Sequence, residues 1–259
     1  MIYNFQERQM ALDLGFEEQA YQLIKSTISL PLFPLTLRQK IEKAIFDPAT
    51  FTGRVEPTAN DRLINITLDL LGCVILSADA PQVIDQLQVS LLPLGYQVVA
   101  LASDGDKDFG EILQIGLLQA AEKFGTKTML GFLKAEHCYS LMWARQTNGM
   151  SYDMRTKDII DKLREWEKLS TFNVLGVGSE WISIRFQALP TDLEAFAEDL
   201  YDFCPDVLDQ SLVKMLPDEL ADYEEAEMLD FIEDELDEQD IKELANYIAT
   251  ERKLFLWWD

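Results

Sequence analysis

One histidine, His137, and three cysteines, Cys73, Cys138 and Cys204, are all the imidazole and thiol groups of this chain. A single histidine excludes metal sites built on several of them. Three cysteines cannot all pair with one another, and their spacing fits no zinc motif; they read as reduced, mostly buried thiols. Cations are scarce too. Lys and Arg number 22 against 46 Asp and Glu, a net charge of −24. Such a chain repels a phosphate backbone and an anionic lipid surface, so neither nucleic acid nor a membrane is expected as a partner. No glycine-rich phosphate loop of the Walker or dinucleotide type occurs. The longest apolar run, Leu68 to Ala78, is interrupted by Asp69 and is too short to span a bilayer. The first residues lack a basic stretch followed by an apolar core, so no signal peptide is read and a cytoplasmic location is expected.

What is present is a globular chain. Hydrophobic residues make up 48%, enough for a sizeable core in 259 residues. Residues 1–60 read as a helical lead-in. Residues 5–27 carry roughly helical apolar spacing broken at Gly15, and Thr36 caps a second expected helix, Leu37 to Phe46. Residues 61–136 read as an α/β segment. Within it, Leu63 to Ala78 fits either a buried strand or a helix followed by a strand. A helix from Asp79 to Leu91 and a strand from Tyr96 to Leu101 follow. Asp104, Asp106 and Asp108 suggest a calcium loop, but its sixth and twelfth positions are Phe109 and Ile115 where Gly and Glu are needed. The stretch reads instead as a turn capping a helix to Phe124.

Residues 137–259 read as one α+β domain: strand Tyr139 to Arg145, a helix opened by Thr156, strands Phe172 to Val177 and Trp181 to Phe186, a helix after Pro190, and a closing strand Leu254 to Trp258. This is the split βαβ, ferredoxin-like order, an antiparallel sheet with helices on one face. The closing strand is expected inside that sheet, against the bend after Tyr201. An acidic insertion, 211–252, has apolar positions such as Ile241, Leu244 and Ile248 that suit helices packed on the sheet.

Catalytic chemistry finds little support. His137 and Cys138, as neighbours on a strand, would face opposite ways, which argues against a dyad. Cys204 ends a helix, where the partial negative charge and Asp202 and Asp206 disfavour a thiolate. Asp153, Asp206, Asp209 and Asp259 would form a carboxylate corner if the tail lies beside the Cys204-Pro205-Asp206 bend; the alternative is that Asp206 and Asp209 shape the turn by bonding backbone N–H groups. Trp257 and Trp258, adjacent on a strand, must face opposite sides, one toward the core and one available as an interface anchor.

Gln146-Thr147-Asn148-Gly149 with Tyr152-Asp153, Ile160-Asp161-Lys162-Leu163 with Trp166, Phe203-Cys204-Pro205-Asp206 with Asp209-Gln210, and a terminal Trp257-Trp258-Asp259 occur in that order. Together they resemble the bacterial domain-of-unknown-function 4253 family over roughly residues 90–259. The resemblance implies a short turn and a single helix between the last two motifs; this chain has a longer acidic segment there. The expected function is non-enzymatic protein binding, with no cofactor and no metal, toward a basic protein partner; an immunity-type inhibitor of a basic toxin is the sharpest form. The candidate binding residues are Asn148, Tyr152, Asp153, Trp181, Cys204, Asp206, Asp209, Gln210, Trp257, Trp258 and Asp259. The rival is an enzyme, or a ligand- or metal-binding domain, using the carboxylates near Asp206 and Asp259.

Overall fold

The 14-residue strand β3, Leu63–Leu76, carries the architecture. Its even positions Ile64, Ile66, Leu68 and Leu70 enter one buried cluster, while Leu71, Cys73 and Ile75 enter a second. Successive residues on a strand face opposite ways, so a strand apolar on both faces must be covered on both. A computed structural model of the chain describes residues 2–103, 127–208 and 238–258. Its sheet has eight strands in the order β1-β3-β5-β4-β6-β7-β8, with β2 also pairing β3. The others are β1 Phe33–Glu42, β2 Arg54–Pro57, β4 Tyr96–Ser103, β5 Lys127–Lys134, β6 Thr171–Val177, β7 Trp181–Ala188 and β8 Lys253–Trp257. All pairings are antiparallel except β4 with β6.

Seven helices lie among the described residues. On one face are α1 Ile2–Asp13, α2 Glu18–Thr27 and α3 Ala80–Leu91. On the other are α4 Cys138–Arg145, α5 Thr156–Trp166, α6 Leu193–Phe203 and α7 Glu238–Glu251. The N-terminal helices are fixed to the sheet. Phe16 stacks on Tyr96 with ring centroids 5.0 Å apart, and the Tyr96 hydroxyl donates to the Gly15 carbonyl and accepts from the Glu17 N–H.

The parallel join of β4 to β6 is narrow, a single register pair, Ala100 with Gly176. Gln88 of α3, fully enclosed, spans it. Its Nε2 donates to the Val174 carbonyl on β6 at 3.3 Å, and its Oε1 accepts from the Val98 N–H on β4 at 3.4 Å. A buried side-chain amide thus supplies bonds that the short ladder does not.

Several expectations are corrected. Residues 37–46 are not a helix: 33–42 form β1, because Leu35, Leu37 and Ile41 alternate inward along it. Tyr139 to Arg145 is not a strand but α4, buried from Ser140 to Arg145. Leu63 to Leu76 resolves as one long strand. The sheet order is not that of a split βαβ unit: its expected first strand is helix α4, and β8 pairs with β7 at the end of the described sheet and not in its middle. The suggested calcium turn and the helix expected to Phe124 lie outside the described residues, as does the insertion before Glu238.

Candidate functional site

The expected site residues divide between two faces of the β6–β8 end of the sheet. Even positions on β8, Leu254 and Leu256, join Ile182 and Ile184 of β7 under α5–α7. Odd positions of both strands, Trp181, Ser183, Arg185, Lys253, Phe255 and Trp257, face the other way.

On the helix-covered face Trp258 closes a corner. Its ring is buried, its Nε1 donates to the Phe203 carbonyl at 3.3 Å, and the Phe203 ring meets it edge-on at 5.5 Å. Its backbone N–H donates to the Glu180 carbonyl at 3.0 Å. A Cβ on Gly149 would come within 2.9 Å of the Trp258 ring, so only glycine lets the loop close over the indole. Gly149 also exchanges both backbone bonds with Met154, pinching off residues 150–153. The Asn148 N–H donates to the Ser179 carbonyl, and its side-chain amide to the Gln146 carbonyl. The Cys204 thiol, fully buried, donates to the Trp257 carbonyl at 3.4 Å.

Burial pushes the Cys204 thiol up to about 12, assisted by the Asp206 charge and opposed by main-chain bonds from Trp257 and Val207. Cys73 and Cys138 are likewise raised to about 12 by burial. At such values the three thiols are protonated near neutral pH, where the thiolate is the nucleophilic form. The strand argument against a His137–Cys138 dyad does not apply, because His137 ends a 3-10 turn and Cys138 begins α4. Burial lowers the His137 pKa, and its Nε2 lies 3.7 Å from a Glu136 carboxylate oxygen.

Asp206 accepts a 2.6 Å hydrogen bond from the Tyr152 hydroxyl, tying the 150–153 loop to the turn after α6. Asp153 is exposed in that loop with φ +54°. Asp209, Gln210 and Asp259 lie outside the described residues. Among the described residues no three His, Cys, Asp or Glu side chains are grouped to share a metal ion. A shallow depression lies elsewhere, lined by Glu42, Lys43, Asn60, Asp61 and Arg62 at the far end of β1 and β3.

On the opposite face lies an aromatic platform. The Trp181 ring rests on a shelf of two glycines: a Cβ on Gly178 would be 2.1 Å from its Nε1, and one on Gly176 2.6 Å from its Cζ3. Phe255 stacks on Trp181 at 5.5 Å and 29°. Phe255 is 42% exposed and Trp257, opposite Trp181 in register, 37%. Beside them Asp85 of α3 holds both Arg185 and Lys253, so the cations on this face are already committed. Sequence reasoning named Trp181 and Trp257 but missed Phe255, Gly176 and Gly178; the shared odd parity of 255 and 257 was the signal available.

The fold and these two faces define an acidic α/β protein with a mostly antiparallel sheet, a buried tryptophan corner and an exposed aromatic sheet face. Residues 129–259, just over half of the chain, match a family described as a domain of unknown function, DUF4253, and the chain belongs to that family. The match starts inside β5, so it is narrower than the resemblance read from residue 90. No curated protein and no solved structure matches the chain. No helix among the described residues is long and apolar enough to cross a membrane.

Proposed function

We propose that this chain is a non-enzymatic protein-binding protein whose partner presents a basic surface, and that it acts as an immunity-type inhibitor of a cationic toxin. The observation that carries the reading is the Trp181–Phe255–Trp257 platform, left open by the described elements on a chain of net charge −24. Partly exposed tryptophan and phenylalanine side chains held rigid by a sheet lose little entropy on contact and are favoured interface anchors. Long-range attraction from an acidic body speeds encounter with a cationic partner, while the aromatic contact sets the lifetime of the complex.

The test pairs the purified chain with the product of the reading frame beside its gene. Binding is expected to weaken at least tenfold between about 50 and 500 mM salt. It is expected to weaken at least tenfold again in W181A/W257A, because two anchors are removed. Affinity indifferent to both salt and the double substitution would reject the proposal.

A further inference from the structure

The edge of the sheet beside the platform has a specific pattern of backbone groups. The Trp258 N–H bonds the Glu180 carbonyl and the Phe186 N–H bonds the Arg252 carbonyl. In an antiparallel ladder bonded pairs alternate, so Arg252, Leu254, Leu256 and Trp258 turn their backbone groups toward β7. Lys253, Phe255 and Trp257 therefore turn theirs outward. At Trp257 the carbonyl receives the Cys204 thiol. At Lys253 and Phe255 no described residue bonds the outward N–H and C=O.

We propose that the outward edge of β8 at Lys253 and Phe255 receives an extended strand of a partner protein, with a lysine or arginine of that strand seated over the Phe255–Trp181 stack. The proposal rests on the protein-binding reading above and names the mode and chemistry of the contact. Two outward residues spaced by two offer the repeat that an added strand pairs with. A residue directly opposite Phe255 has its Cβ about 5 Å away, which places a long cationic side chain on an exposed aromatic face. The local charge selects the same chemistry. Glu180 and Glu251, at the two ends of β8, are exposed, and no cation among the described residues pairs with either. The cations Arg185 and Lys253 are taken up by Asp85. A second copy of the chain would bring another −24 to the same edge, so a heterologous basic strand is favoured.

The probe is a capped synthetic peptide of alternating valine and lysine, compared with one carrying glutamate for lysine, each titrated into the full chain by amide NMR. The Val/Lys peptide is expected to shift the Phe255 and Lys253 amides and to bind at least tenfold tighter than the Val/Glu peptide. Phe255→Pro removes the outward N–H without touching a bond to β7, so the strand remains paired while docking is blocked. F255P is expected to lose at least tenfold in affinity with an unchanged amide pattern in β7, and F255A to lose less. Non-specific attraction to an acidic chain would be unaffected by F255P, and that result would overturn the proposal. So would absence of Val/Lys binding at millimolar concentration, or a wild-type dimer dissolved by F255P. If W181A/W257A weakens the neighbouring-gene partner while F255P does not, edge pairing fails and the platform reading survives; if neither does, both fail.

Discussion

Gln88 illustrates how much one buried side chain decides. It is the described side chain that bonds both β4 and β6 where the ladder between them is one pair long. Gln88→Leu leaves the Val98 N–H and the Val174 carbonyl buried without that partner, a cost of about 2–4 kcal/mol. Urea unfolding should show the midpoint falling with the slope unchanged. Trp258 and Trp257 make a contrasting pair. Trp258→Ala removes a fully buried indole and is expected to cost about 3–5 kcal/mol, whereas Trp257→Ala, at a partly exposed ring, should stay within about 1 kcal/mol. Equal losses in the same unfolding experiment would contradict this assignment of faces. That one of the two tryptophans must be buried was legible from their adjacency. That Gly149 makes room for it was not, because the contact joins residues 109 apart in sequence and only the fold brings them together. Gln88 was invisible for a similar reason: a polar residue inside an apolar helical pattern looks like an exposed one.

The helix pair α5–α6 is joined by Asp199, which accepts from Lys162 at 2.8 Å and from the Nε1 of buried Trp166 at 2.7 Å. Burial raises the Asp199 pKa, but the two hydrogen bonds and the Lys162 charge outweigh it, and the net direction is down. A carboxyl whose folded pKa is depressed contributes stability above its unfolded value, and that contribution disappears as pH falls through the folded value. Asn at 199 keeps an acceptor for Trp166 and loses only the charge. The carboxylate is 43% exposed and therefore screened, so Asp199→Asn should cost at most about 1 kcal/mol near neutrality. The difference from wild type should narrow below about pH 4. Unfolding curves across pH 3–7 test this, and a gap that widens in acid would refute it. The elements themselves were unevenly readable. Strands β4, β6, β7 and β8 and helices α3, α5 and α6 follow clear periodicity, whereas α1 and α2 follow it only roughly. The segment 37–46 misled because Leu37 and Ile41 are four apart, a spacing shared by one helical turn and by two strand repeats. In α4 nearly every residue is buried, so no period distinguishes helix from strand over eight residues.

For the molecule as a whole, the division into residues 1–60, 61–136 and 137–259 followed changes in pattern along the chain, yet the hydrogen-bonded sheet runs across both boundaries through β1–β3 and β4–β6. Strand order depends on which edges meet in space, and a sequence pattern that fixes faces says little about edges. The net charge needed no structure, and it makes a prediction of its own. Compacting a chain of −24 brings like charges closer than in the unfolded state, so self-repulsion opposes folding. Salt screens repulsion between exposed charges beyond about 10 Å at 0.1 M, but weakens short, partly buried contacts such as the Asp85 pairings much less. The melting temperature should therefore rise by several degrees between about 10 and 300 mM NaCl, corresponding to roughly 1 kcal/mol for a domain of this size. Salt thus acts in opposite directions on the two properties, strengthening the fold while weakening a complex with a basic partner. A melting temperature that falls with salt would mean that attractive surface pairs outweigh the net charge, and would remove the charge-led encounter on which the partner assignment depends.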